Sequence, residues 1–150
     1  MNQQENQTTR RAFIKTTGAA IGGALTTNLL FPRHAFAENS ETIKIGLVGC
    51  GGRGSGAAVN ALTVDKNAVL VAMGDVFPDQ ISKSRTNLLK QQKISAQVQV
   101  DDANMYVGFD AYKKVIDAGV DVVILATPPG FRPLHMKYAV QQNNHSFWEK

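Results

Sequence analysis

IKIGLVGCGGRGSG, residues 43–56, is the stretch of this 150-residue chain from which its fold can be predicted. An apolar run, a glycine cluster and the small-residue segment 57–62 follow one another, which predicts a strand, a tight turn and a helix. Gly49, Gly51 and Gly54 have the G-x-G-x-x-G spacing of dinucleotide-binding turns. We expect Gly49 to allow a sharp turn, Gly51 to leave room for a pyrophosphate, and Gly54 to let the helix pack closely. The N–H groups at the start of that helix would then bind the phosphates.

The rest of the chain after residue 56 alternates between apolar runs and helical patterns. We predict strands at 42–48, 68–75, 97–100, 120–126 and 146–148. Helices are predicted from the glycine turn to about 62, and at 78–92, 110–117 and 133–142. This alternation predicts an α/β fold, a doubly wound parallel sheet with helices on both faces. Ligands of such sheets bind at the carboxyl ends of the strands.

Asp75 is the candidate ligand of an adenosine ribose. It ends the second predicted strand, 21 residues after Gly54. A carboxylate there can accept hydrogen bonds from the ribose hydroxyls and repel a 2′-phosphate. Because Val76 and Phe77 follow without a basic residue, the sequence favours NAD over NADP. The alternative is an Asp that serves only the turn before Pro78.

Each of the other candidate residues has both a functional and a purely structural interpretation. Arg53 either contacts the pyrophosphate or is a solvated arginine, and residues 127–129 either form a wall beside the cofactor or only end a strand. His135 and His145 have no Cys, Asp or Glu at metal-ligand spacing, so we predict structural histidines and no metal site. Cys50, the sole cysteine, cannot form an internal disulfide. We interpret it as a small residue of the turn rather than a reactive thiol.

Residues 1–37 have the order of an export signal. TRRAFIK at 9–15 contains the paired Arg10 and Arg11, a weakly apolar stretch follows at 16–31, and Ala-Phe-Ala at 35–37 fits a signal-peptidase site. The pattern is that of a bacterial twin-arginine signal, which predicts recognition by the twin-arginine translocation machinery and a periplasmic location. The alternatives are a disordered basic tail or a membrane anchor, although the stretch is too weakly hydrophobic for a stable span.

Cleavage after Ala37 leaves residues 38–150 as one dinucleotide-binding domain. Four of the 16 basic and one of the 12 acidic residues leave with the signal, so 12 basic and 11 acidic residues remain, a net charge of +1. That balance, without a basic patch interleaved with aromatics, argues against nucleic acid as a partner.

These motifs together resemble the N-terminal half of the Gfo/Idh/MocA oxidoreductases, the family of glucose–fructose oxidoreductase and inositol dehydrogenase. The matching residues share the family's order and spacing: 45–54, Asp75, 109–112, 121–129, His135 and 145–150. The resemblance implies a Rossmann domain that binds NAD(P), followed by a second α/β domain. It also implies a sugar-like or polyol-like substrate and leaves room for a homo-oligomer.

The resemblance also implies roles for individual residues. Glu149 and Lys150 match the start of the family's Glu-Lys-Pro motif, whose lysine lies near the nicotinamide, so Lys150 is the expected catalytic residue. The expected cofactor-binding residues are Gly49, Gly51, Gly52, Arg53, Gly54, Asp75, Thr127, Pro128, Pro129, His135 and Glu149.

Three departures from the family pattern qualify this expectation. The loop from Thr127 to His135 is long, Asn143-Asn144 replace the usual glycine, and nothing matches the Asp/His pair of the second domain. We therefore expect a fragment that holds only the cofactor-binding half of an NAD-dependent oxidoreductase. The alternatives are the family's NAD-dependent glycosidase branch and a non-catalytic dinucleotide-binding module.

Overall fold

The computed structural model describes residues 41–148. The export signal predicted at 1–37 lies outside the described residues, as do Glu149 and Lys150. The described elements, in chain order, are β1 (Ile43–Val48), α1 (Gly52–Val64), β2 (Ala68–Asp75), α2 (Pro78–Leu89), β3 (Met105–Val107), α3 (Ala111–Asp117), β4 (Val122–Leu125), α4 (Arg132–Gln141) and β5 (His145–Trp148). Within this range no helix has the length and hydrophobicity needed to cross a membrane.

The five strands form one parallel sheet in the order β3-β2-β1-β4-β5. The chain builds outward from β1 through β2 to β3, then crosses to the other side of β1 to form β4 and β5. This is the Rossmann arrangement, and it confirms the predicted doubly wound α/β fold. The direction of winding reverses between β1 and β4, so a crevice opens at their carboxyl ends.

Both faces of the sheet are covered by helices, because the strand side chains alternate between two apolar cores. Leu47 of β1 belongs to the core that includes residues of α1 and α2, together with Leu70 of β2. The next residue, Val48, belongs to the core on the opposite face, with Val115 of α3. Leu47, Leu70 and Val115 are fully buried, and each such side chain contributes roughly 1.5–3 kcal/mol by its removal from water.

Two strand glycines let α3 approach the sheet closely. A Cβ on Gly46 would lie 2.6 Å from Cγ1 of Val115, and one on Gly74 would lie 2.8 Å from its Cγ2. Any larger residue would push the helix outward, because a packed core has little free volume.

The predicted third strand at 97–100 is wrong. Residues Ser95–Gln97 form a 3-10 turn, and Val98 makes only an isolated bridge to Leu70. The alternation at Val98 and Val100 reflects their burial in the core rather than a ladder of strand pairs. The third strand is instead β3, which pairs with the last residues of β2 after a second 3-10 turn at Asp102–Asn104. Its three residues are too few to show a period in the sequence.

The turn between α4 and β5 confirms that Asn can replace the usual glycine. Asn143 has a φ of +58°, in the left-handed region that Asn tolerates better than most residues. Nδ2 of Asn144 donates a 2.8 Å hydrogen bond to the Val120 carbonyl, which ties the turn to the approach to β4. The departure from the family pattern therefore leaves the local backbone intact.

Candidate dinucleotide-binding site

The glycine turn after β1 has the geometry that its spacing predicts. Gly49 has a φ of +92°, and a Cβ there would lie 2.9 Å from the Ala126 carbonyl. Gly54 lies beneath the turn, where a Cβ would overlap the carbonyl oxygen of Gly49. A Cβ on Gly51 or Gly52 would meet nothing within 4 Å, so the backbone here is open to a ligand.

Asp75 lies at the end of β2, next to this turn. Its Oδ2 accepts a 2.6 Å hydrogen bond from the Cys50 N–H, and its Oδ1 accepts one of 3.0 Å from the Phe77 N–H. The two amides fix the orientation of the carboxylate, while each oxygen keeps capacity for a further donor. The side chain is therefore both an anchor for the turn and an available acceptor.

A cleft of about 560 Å³ lies at the carboxyl ends of the central strands. Seven of the predicted cofactor-binding residues line it: Gly49, Gly51, Gly52, Asp75, Thr127, Pro128 and His135. Gly54 is buried under the turn, while Arg53 and Pro129 are exposed and do not line the cleft. The structure thus brings together residues from three strand ends and from helix α4, up to 86 positions apart, from 49 to 135.

Aromatic rings form a wall of the cleft that sequence reasoning did not assign. The rings of Tyr112 and His135 stack with centroids 4.1 Å apart, and the His135 and Phe131 rings lie 6.2 Å apart. Phe109 continues the row at 6.4 Å from Phe131. Phe77 also lines the cleft and is 61% exposed. The sequence signal that could have revealed this wall is the position of Phe77, Phe109 and Phe131, each of which follows the end of a strand.

His135 is a buried histidine that also lines the cleft. Burial lowers the pKa of its imidazole below the usual value, so the ring is neutral at neutral pH. Its Nδ1 lies 3.2 Å from Oγ1 of Thr127. Nε of Arg132 donates a 2.7 Å hydrogen bond to the carbonyl of Thr127, which fixes the loop after β4. The burial and stacking of His135 agree with a structural role, and its position in the cleft keeps the cofactor contact as a prediction.

Cys50 is a buried thiol in the centre of the turn. Burial, reinforced by the nearby Asp75 charge, raises its pKa to about 12. Its Sγ lies 3.5 Å from the Gly74 carbonyl oxygen, a weak hydrogen bond. A thiol with this pKa stays protonated at neutral pH and is a poor nucleophile, which confirms the interpretation as a small residue of the turn.

Comparison with known proteins finds relatives of this chain among named dehydrogenases and a named glycosyl hydrolase. No protein-family model matches the chain. A "glycosyl hydrolase family 109 protein" from Porphyromonas gingivalis is 30% identical over 108 residues, which cover 71% of this chain and 21% of that protein. The apo crystal structure of scyllo-inositol dehydrogenase from Lactobacillus casei has a TM-score of 0.57 at 26% identity, covering 74% of this chain and 29% of that chain.

The same enzyme with bound NAD(H) and scyllo-inositol matches with a TM-score of 0.56 at 26% identity, over 73% of this chain and 28% of that chain. The structural relatives are Gfo/Idh/MocA-type dehydrogenases. The WlbA dehydrogenase from Bordetella pertussis, solved with NADH and UDP-GlcNAcA, shares the fold at 24% identity, with a TM-score of 0.54 over 73% of this chain and 28% of that chain. This chain spans less than a third of the length of these relatives.

Proposed function

We propose that residues 38–150 are the NAD-binding domain of a Gfo/Idh/MocA oxidoreductase that acts on a sugar-like or polyol-like substrate. The observation that carries this proposal is the Asp75 carboxylate, tied to the Cys50 N–H of the glycine turn and lining the cleft. A phosphate-binding turn and a ribose acceptor stand side by side there, which is the pairing a dinucleotide requires.

The residues of the cleft fit NAD. Gly51 and Gly52 leave open space where a Cβ would obstruct a pyrophosphate, and the N-terminal end of α1 carries the partial positive charge that favours a phosphate there. Asp75 can accept hydrogen bonds from ribose hydroxyls. None of the described residues that line the cleft is Lys or Arg, so a 2′-phosphate would meet a carboxylate without a cation. The NAD(H) in the scyllo-inositol dehydrogenase structure supports the same choice of cofactor.

The chemistry that a bound NAD would supply is acceptance of a hydride from the carbon that carries the reacting hydroxyl. The chain's own residues bind and orient: the glycine turn holds the phosphates, Asp75 holds the ribose, and the Phe and Pro side chains exclude water. We assign Lys150 to the reacting hydroxyl, where its ammonium would stabilise negative charge as the proton leaves. The group that takes the proton is expected in the second domain, as the resemblance implies.

A second candidate is an NAD-dependent glycosidase, in which the hydride is borrowed and returned. The glycosyl hydrolase name of the Porphyromonas gingivalis protein favours it. A non-catalytic dinucleotide-binding module is the third candidate, because it requires only that the cleft beside Asp75 binds NAD.

The deciding experiment uses the complete polypeptide with NAD, a panel of inositols and sugars, and a panel of glycosides. A lasting rise in reduced-nicotinamide absorbance supports the oxidoreductase. Sugar release that requires NAD but leaves no lasting absorbance change supports the glycosidase, and NAD binding without either supports the module. Failure of NAD to bind would overturn the proposal.

Lys150→Met tests the catalytic role within the same experiment. It should abolish turnover while NAD binding persists, because the lysine is assigned to the reacting hydroxyl. Lys66→Met, in the exposed turn before β2 at the opposite end of the sheet, is the matched control and should retain activity.

We also propose that the protein is exported through the twin-arginine route and acts outside the cytoplasmic membrane. The paired Arg10 and Arg11, followed by the Ala-Phe-Ala site at 35–37, support this location.

A further inference from the structure

A pair of serine hydroxyls, one buried and one half-buried, lies behind the glycine turn. Ser84 of α2 is 2% exposed, and its Oγ lies 2.7 Å from Oγ of Ser55 in the first turns of α1. The Ser55 hydroxyl in turn donates a 3.3 Å hydrogen bond to the carbonyl oxygen of Cys50. Neither serine lines the cleft. A buried polar contact of this kind is costly to form unless its groups are paired.

The direction of these hydrogen bonds is assigned from the donor and acceptor capacity of each group. A carbonyl oxygen can only accept, so the single proton of the Ser55 hydroxyl is used on the Cys50 carbonyl. With that proton on the carbonyl, we assign the Ser84 hydroxyl as the donor in its 2.7 Å contact with Ser55, where either oxygen could donate. The result is a one-way chain from α2, through α1, to the turn. Hydrogen bonds in such a chain polarise and strengthen one another.

Both peptide groups that flank Cys50 are consequently held. Asp75 accepts from its N–H, and Ser55 donates to its C=O. In a planar trans peptide the C=O of one residue and the N–H of the next point in opposite directions. Ser55 therefore fixes the direction of the Gly51 N–H, which it leaves on the opposite side of the peptide from itself. Gly51 lines the cleft and has open space around its Cα.

We infer that Ser55 and Ser84 are positioning residues for phosphate recognition by the glycine turn. They act through the Cys50–Gly51 peptide and keep the Gly51 N–H oriented for a dinucleotide pyrophosphate. This inference rests on the proposed NAD site. It predicts that loss of either hydroxyl weakens ligands that carry the pyrophosphate and leaves phosphate-free ligands unaffected. A hydroxyl pair that merely joined α1 to α2 would have no such preference.

The test titrates the full chain and its variants with NAD and, separately, with adenosine. Ser84→Ala and Ser55→Ala should each raise the Kd for NAD about fivefold, the ratio that corresponds to one net hydrogen bond of about 1 kcal/mol. The Kd for adenosine should not change. Ser55→Thr keeps the hydroxyl and should retain NAD affinity. Ser82→Ala is the matched control, since Ser82 is an exposed serine of α2 whose hydroxyl donates to the Pro78 carbonyl within its own helix.

The outcomes separate this inference from the function on which it rests. If the parent binds no NAD, the proposed function itself is overturned. If the parent binds NAD and both alanine variants bind it equally well, the positioning role is wrong. Equal weakening of NAD and adenosine would also overturn it, because general loosening of the fold affects both ligands. Should Ser84→Ala fail to fold, comparison of Ser55→Ala with Ser55→Thr still tests the positioning role, because Ser55 is only half-buried.

Discussion

The Asp75 carboxylate accepts a 2.6 Å hydrogen bond from the backbone N–H of Cys50, 25 residues earlier in the chain. The parallel pairing of β1 with β2 places their carboxyl ends side by side, with Val48 opposite Gly74. Asp75 therefore anchors the turn through its oxygen, and we propose that its charge also faces the ribose of a ligand. Asn and Ala substitutions separate the two roles, because the Asn carbonyl can still accept from Cys50.

The first prediction concerns cofactor choice. Asp75→Asn should weaken NAD binding by about 1–3 kcal/mol, the range for a lost charged hydrogen bond, while NADP binding weakens less or improves because the repulsion of its 2′-phosphate is removed. Asp75→Ala should weaken NAD at least as much, since the anchor of the turn is also lost. Calorimetric titration measures both, and Asp79→Asn, on the exposed first turn of α2, is the control. Unchanged NAD affinity in both Asp75 variants would exclude the ribose role.

The second prediction concerns the closeness of α1 to β1. Gly54→Ala should lower the free energy of unfolding by about 3 kcal/mol or more, because the new Cβ overlaps the Gly49 carbonyl oxygen. Gly56→Ala, in the same helix, meets nothing within 4 Å and should raise stability by about 0.5–1 kcal/mol through helix propensity. Urea unfolding compares the two. Similar effects of both substitutions would show that close packing at Gly54 is not limiting.

The third prediction concerns Cys50. Because its pKa is raised to about 12, native protein should react with iodoacetamide at neutral pH far more slowly than protein unfolded in urea. Mass spectrometry gives an unambiguous readout, since the sequence contains a single cysteine. Rapid modification of the native protein would contradict both the burial of the thiol and its raised pKa.

The fourth prediction concerns pH. Burial lowers the pKa of His135 in the folded state, so the unfolded chain binds its proton first as pH falls. The stability that depends on the neutral ring is complete above the unfolded value of about 6.5 and declines as pH falls from there towards the folded pKa. His135→Phe keeps a ring against Tyr112 and should flatten the fall in unfolding free energy between about pH 7 and pH 5.

His145→Gln is the control for this measurement, because His145 is exposed on β5. It removes a histidine from β5 and leaves the stack of His135 against Tyr112 intact. A slope that His135→Phe does not alter would show that His135 makes no contribution to the pH dependence.

The fifth prediction concerns export. Replacing Arg10 and Arg11 together by Lys should leave the precursor in the cytoplasm, because the arginine pair is recognised as a unit. The parent should yield a mature chain that begins at Glu38 in the periplasmic fraction. Replacement of Lys15 by Arg, which keeps the positive charge beside an intact arginine pair, is the control. Equal export of the double variant and the parent would exclude a twin-arginine signal.

The sequence by itself determined the architecture of residues 41–148. Strand β2 was predicted with the bounds it has, because a strand buried between two helical layers is apolar along its whole length. The glycine turn was equally predictable, since Gly49 and Gly54 meet local steric demands that no other residue satisfies. Strands β1, β2, β4 and β5, their parallel direction and the helices between them follow from patterns of a few residues, whereas β3 does not. The export signal and the role of Lys150 stay predictions.

Only the tertiary structure decided which distant groups meet. Strand β3 forms because the end of β2 offers it a pairing partner. Since it is only three residues long, its sequence shows no alternation from which a strand could be predicted. The hydrogen bonds between Asp75 and Cys50 and between Ser84 and Ser55 join residues 25 and 29 positions apart. The pKa shifts of Cys50 and His135 arise from burial by residues elsewhere in the chain. Local propensity is encoded in neighbouring residues, whereas burial and long-range hydrogen bonds exist only once the sheet has brought its strand ends together.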